Sequence, residues 1–189
     1  MVDINEKDEI TIETLSGIKK LKAYTSGGKV NRLRVDMGKA ILDPKEIPVV
    51  LDGDKVVDRP VEIAGKNYNI TCVSMGNPHC VVFMDDIDNL DIETVGPEFE
   101  NDKLFPERVN TEFVTVLDDH TIKMRVWERG SGETWACGTG ACAVAVAACE
   151  NGFCKKGEDI KIKLKGGDLI INYTDETVYM TGNAEKVFE

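Results

Sequence analysis

Gly140-Ala141-Cys142-Ala143-Val144-Ala145-Val146-Ala147-Ala148-Cys149-Glu150 is the one strongly helix-forming segment of the chain. It starts near Thr139 and stops at Asn151-Gly152, a pair suited to the left-handed turn that closes a helix. It is apolar on every side, and a helix without a polar stripe has to be enclosed by other structure. The rest of the chain supplies short apolar strands for that purpose. The spacing therefore predicts an α+β fold, a curled, barrel-like antiparallel sheet around one central helix over 139–150.

Ile10, Ile12 and Leu15 fall near period two, followed by Leu21 to Tyr24, the turn Ser26-Gly27-Gly28, and Asn31 to Met37 with Leu33, Val35 and Met37 alternating. Loop and short strand are expected from Asp43-Pro44 to Asp52-Gly53-Asp54. Tyr68 to Val73 and Cys80 to Met84 read as strands flanking a Gly76-Asn77-Pro78 turn. Asp91 to Asn101 reads as a short acidic helix, and Asn110 to Leu117 and Thr121 to Glu128 as a hairpin. Ile160 to Leu164, Leu169 to Tyr173 and Val178 to Thr181 return to strand, with Gly166-Gly167 as a hairpin turn.

Charge narrows the partners. With 34 acidic against 23 basic residues the net charge is -11, and no basic patch offsets it, which argues against nucleic acid and anionic membrane surfaces. No apolar run approaches the roughly 20 residues of a membrane span, and Met-Val-Asp-Ile-Asn-Glu has none of the features of a secretion signal. A cytoplasmic location is the expectation. The 6 cysteines are then expected to be free thiols.

The chemistry concentrates at Glu128-Arg129-Gly130-Ser131-Gly132-Glu133-Thr134-Trp135-Ala136-Cys137-Gly138-Thr139-Gly140, a strand end and glycine-rich turn that opens the central helix. A cysteine just before a helix faces unpaired N–H groups and the positive end of the dipole, which predicts a lowered pKa and a thiolate at Cys137. Small Gly138, Thr139 and Gly140 would let an anion approach the same N–H groups. The plain alternative makes Cys137 a small buried hydrophobe. Cys142 and Cys149, seven residues apart on the helix, are assigned to its core face. His79 follows a tight turn and is either structural or catalytic; Glu128-Arg129 is either a solvated ion pair or a carboxylate clamp and thiol-tuning acid. Cys72, His79, Cys80 and Cys137 could be drawn as a zinc site but lack the paired spacing that zinc ligands show.

Three motifs in order, Met75-Gly76-Asn77-Pro78-His79-Cys80, Phe105-Pro106-Glu107-Arg108-Val109-Asn110 and Glu128 to Cys142, with Met180-Thr181-Gly182 near the end, resemble the diaminopimelate epimerase family. The resemblance implies an isomerase of lysine biosynthesis that interconverts LL- and meso-2,6-diaminopimelate without pyridoxal phosphate or any other cofactor, and without a metal. One cysteine thiolate removes the α-proton and a second, as a thiol, returns one from the opposite face. By matching position Cys137 is one of that pair. Glu128 and His79 resemble residues that adjust the thiols, and Asn77, Asn110, Glu128, Arg129, Gly138 and Thr139 resemble substrate contacts. A homodimer is also implied.

The family pattern includes a first domain with Gly-Asn-Asp and Cys-Gly-Asn-Gly segments, which these residues do not contain. Residues 1–36 resemble its closing strands, 37–181 the second domain with the central helix, and 182–189 the start of a strand returning to the first. The expectation is a truncated form, inactive alone in two-base epimerisation. The rival expectations are a non-catalytic amino-acid-binding or association domain of the same fold, and a zinc-binding module.

Overall fold

The alanine-rich segment is a helix in the computed structural model, α2 (Gly138–Glu150), and every side chain from Ala141 to Ala148 is buried. The structure describes residues 9–14 and 17–185; Leu15 and the expected returning strand beyond residue 185 lie outside them. Strands β1 (Glu9–Thr14), β2 (Gly17–Ser26) and β3 (Lys29–Gly38) come first, then β4 (Arg59–Ile63), β5 (Lys66–Ser74) and β6 (Pro78–Phe83). Helix α1 (Ile92–Glu100) is followed by β7 (Asn110–Asp118), β8 (Thr121–Glu128) and β9 (Gly132–Thr134). After α2 come β10 (Asp159–Leu164), β11 (Gly167–Tyr173) and β12 (Val178–Asn183).

One sheet runs β1-β2-β3-β12-β11-β10-β8-β7-β6-β5-β4, with β9 paired to β8. The curled sheet is antiparallel, as expected, at every joint but two. β6 pairs parallel with β7, and β8 pairs parallel with β10. Parallel neighbours cannot be joined by a tight turn and require a crossover. Those crossovers are what carry the helices: α1 lies between β6 and β7 in sequence, α2 between β8 and β10. The sequence also gave no sign of β4, whose Arg59-Pro60 start suits only the sheet edge it occupies, or of three-residue β9.

Alternation along β5 to β7 separates two cores. Ile70, Cys72, Cys80, Val82 and Phe113 face α1, where Phe99 meets Tyr68 and Phe113 edge-on at centroid distances of 4.9 and 5.4 Å. Val73, Val81 and Val114 face α2 and pack with Ile122, Met124, Ile160, Ile162 and Ile171. The methyl side chains of α2 let the curled sheet close around it from β5 to β12. β1 to β3 extend the sheet past that core, and Ala23 is the one apolar residue they bury among the described residues.

Candidate active site

Strand register brings the motifs together. The turn after β5 reverses at Gly76, whose φ of 95° is accessible to glycine at little cost. It returns the chain so that His79 opposes Val73 on one side and Asn110 on the other. β7 and β8 then align Thr111 with Trp127, which places Glu128 and Arg129 at the same end of the sheet. The N-terminus of α2 arrives at that end because the β8-to-β10 crossover starts there.

Cys137 is the N-cap of α2, with extended backbone at φ -133° and ψ 107°, and its Sγ accepts the Gly140 N–H at 3.3 Å. The Thr139 hydroxyl lies 3.6 Å from the same sulfur and accepts from the Asn77 amide at 3.3 Å. Asn77 Oδ1 is 3.0 Å from His79 Nε2, and His79 Nδ1 is 2.7 Å from Glu112 Oε1. The His79 and Glu112 side chains are both 0% exposed, which puts an acid and a base in the core directly behind the cap.

The expected low-pKa thiolate is corrected by this environment. Burial pushes the Cys137 thiol up, the Glu112 carboxyl beside it pushes further, and the Thr139 hydroxyl and Gly140 N–H pull back only in part, leaving it raised to about 12. Removing a thiolate from water beside carboxylates outweighs one helix N-terminus. Glu112 is itself raised, first by burial, with His79 opposing.

The remaining candidates frame the same corner. Glu128 is half-buried and accepts from the Thr134 hydroxyl. Asn110 is 3% exposed and its amide ties two backbones, donating to the Pro78 carbonyl at 3.0 Å and accepting the Arg129 N–H at 3.0 Å. The Arg129 guanidinium donates to the Glu107 carbonyl at 2.9 Å. Gly138 packs so closely on Met180 that an added Cβ would lie 3.1 Å from its sulfur. Helix geometry leaves the first N–H groups of α2 without intrahelical acceptors, so Gly138 and Thr139 present donors beside Cys137. Trp135, 74% exposed, and Ala136 lie at the surface just before the cap, while Cys137 itself is 5% exposed.

Two acids were missed in the sequence. Glu112 lies in the fully buried stretch Asn110 to Val114, and a charge directly before the apolar Phe113-Val114 was the available signal. Glu100, 6% exposed, accepts from Trp127 Nε1, Arg108 and the Gly130 N–H at 2.7, 2.9 and 2.8 Å, and so pins the loop that holds Glu128 and Arg129. Cys142 is buried as expected, while Cys149 is only half-buried and packs at the core's margin. All 6 cysteines are free. Among the described residues no group of three His, Cys, Asp or Glu side chains could hold a metal, and no helix is long and apolar enough to cross a membrane.

The curled sheet wrapped on one apolar helix is a fold shared with solved structures described as epimerases and a probable proline racemase. A hydroxyproline epimerase from Agrobacterium vitis, solved with bound trans-4-hydroxy-L-proline, shares the fold at a TM-score of 0.70 and 14% identity over 97% of this chain and 58% of its own. A predicted epimerase from Pseudomonas aeruginosa matches at 0.60 and 18% identity, over 96% of this chain and 67% of its own. Within that class, residues 71–187 match the family model for diaminopimelate epimerase. The chain is 50% identical to the diaminopimelate epimerase of Agathobacter rectalis and 51% identical to that of Acetivibrio thermocellus, over 98% of its own length in each case. It spans 67% and 66% of those relatives. The chain belongs to the diaminopimelate epimerase family.

Proposed function

We propose that this chain carries one catalytic face of a cofactor-independent epimerase that interconverts LL- and meso-2,6-diaminopimelate for lysine biosynthesis in the cytoplasm. The observation that supports it most directly is the placement of Cys137: a thiol at a helix N-terminus, flanked by N–H donors and backed by an imidazole. A substrate α-carboxylate set against the N–H groups of Gly138 and Thr139 would put its α-carbon near Cys137 Sγ. The same donors would stabilise the enediolate-like charge that develops when the proton leaves. Asn77, Asn110 and Arg129 are assigned to hold the substrate.

With its pKa raised, resting Cys137 favours the thiol at neutral pH, the form that delivers a proton. Entry of a substrate ammonium would offset the Glu112 and Glu128 charges and bring the thiolate within reach, so Glu128 and His79 act through the thiol. Inversion needs a second acid on the far face of the α-carbon. Of the other 5 thiols, Cys72, Cys80, Cys142 and Cys154 are buried in the two cores and Cys149 stands at the far end of α2, so none is placed to serve. We assign residues 1–36 and 182–189 to the first domain and 37–181 to the second. The complementary base is then expected from outside the site described here.

Deuterium exchange tests the reading. Incubated with LL- or meso-diaminopimelate in deuterium oxide, the purified chain is expected to place label at the α-carbon without inversion, and Cys137→Ala to abolish it. Inversion by this chain alone would overturn the one-face assignment. Label that survives in Cys137→Ala would remove the thiol from the mechanism.

A further inference from the structure

Glu112 enters the proposal above only as a charge beside Cys137, and its bond to His79 has no part in it. Its side chain is fully enclosed, Oε1 meets His79 Nδ1 at 2.7 Å, and Oε2 has no hydrogen-bond partner among the described residues. Burying a carboxyl with an idle oxygen is costly, and an apolar residue of similar size would avoid that cost. Space has been kept for it: a Cβ on Gly140 would lie 2.6 Å from Oε1 and 3.1 Å from Cys137 Sγ. The absence of a side chain at that position lets the carboxyl and the sulfur share one corner.

A continuous row of hydrogen bonds links the two by the longer route, Glu112 to His79 to Asn77 to Thr139 to Cys137. Each middle member works in either direction, because imidazole has two tautomers, a carboxamide turns over and a hydroxyl rotates. In one direction a proton sits between Glu112 and Nδ1, Nε2–H donates to Asn77, Asn77 donates to Thr139, and the Thr139 hydroxyl donates to a Cys137 thiolate. In the other direction Nδ1–H donates to a Glu112 carboxylate, the Asn77 amide is reversed, and Cys137 S–H donates to Thr139. Both states contain the same number of protons and carry the same charge.

We propose that Glu112 is a positioning residue of this site: with His79 it holds a proton in exchange with that of Cys137, so that thiol and thiolate forms of Cys137 coexist at one pH. The proposal rests on Cys137 being the acid and base, since reaction in the two directions needs the thiolate to take the α-proton and the thiol to return one. In the exchange one proton leaves Sγ for solvent and one enters the Glu112–His79 pair, and no other bond is made or broken. An amide cannot pass a proton, so Asn77 reports the state by its orientation. The titratable groups around Glu112 are His79 on β6, Cys137 at the start of α2, Glu128 on β8 and the Cys80 thiol, which Glu112 also pushes up.

The test follows the Cys137 Cβ and His79 ring nitrogens by NMR against pH in the full chain, with 13C-cysteine and 15N-histidine labels. In the unsubstituted protein the His79 tautomer is expected to change with the same midpoint as Cys137. Glu112→Gln keeps the shape but removes the charge, and is expected to lower the Cys137 midpoint by about 1 unit or more, giving roughly tenfold more thiolate at any lower pH. Glu112→Asp is expected to keep the raised midpoint. An unchanged Cys137 midpoint in Glu112→Gln would overturn the proposal. So would a His79 ring that keeps one tautomer through the Cys137 titration, a result that needs no variant to fold. Neither measurement uses diaminopimelate, so loss of α-carbon exchange alongside the expected thiol behaviour rejects the epimerase reading and leaves the coupling standing.

Discussion

At Cys137 the observed helix cap and the proposed acid–base role separate chemically. As a cap its sulfur accepts the Gly140 N–H, a task a serine oxygen performs at least as well. As an acid and base it needs an ionisation that a serine lacks. Cys137→Ser is therefore expected to keep or slightly raise the thermal midpoint, read by circular dichroism, while deuterium exchange at the substrate α-carbon falls by about 100-fold or more. A parallel loss of both would mean that the sulfur is structural. The place of Cys137 at the helix start was legible, because Gly138-Thr139-Gly140 directly after it opens the apolar helix. Its ionisation was not: burial raises the pKa first and the Glu112 carboxyl second, and that carboxyl is distant in sequence, on β7.

The two helices are seated differently. α2 is held by small side chains on all sides, whereas α1 packs Phe99 against Tyr68 and Phe113 and approaches the sheet most closely at Gly96, where an added Cβ would lie 2.3 Å from the Trp127 ring. The indole is fixed by Glu100 and cannot retreat cheaply. Gly96→Ala is expected to destabilise the fold by about 1–3 kcal/mol, the usual cost of overpacking, read as a lower urea midpoint at unchanged slope. Glu100→Ala should cost about 2 kcal/mol through lost charge-assisted hydrogen bonds. Because Glu100 also holds the Gly130 N–H, that variant should weaken diaminopimelate binding more than Gly96→Ala does, measured by calorimetry on both. Both helices were legible from periodicity and caps, Asp91 and Asn151-Gly152 among them, but nothing local to α1 identifies Trp127 as its neighbour.

Across the molecule the buried thiols set an alkaline limit. Cys137, Cys142 and Cys149 are raised from 9.0 to about 12 and Cys154 to about 11, in each case first by burial. The unfolded chain releases these protons at lower pH than the folded one, so stability from this source is intact below about 9 and is lost as pH rises toward 12. Urea midpoints measured from pH 8 to 11 should fall steadily, and Cys142→Ala should make the fall shallower. By itself the sequence determined most of the strands, that one apolar helix must be enclosed, and which motifs mark the family, because periodicity, turn residues and caps act over a few positions. Only the tertiary structure decided the two parallel joints, the edge strand with Pro60, and the meeting of Glu112, His79 and Cys137. Strand partners are chosen by burial of whole faces, and no window of the sequence contains that competition.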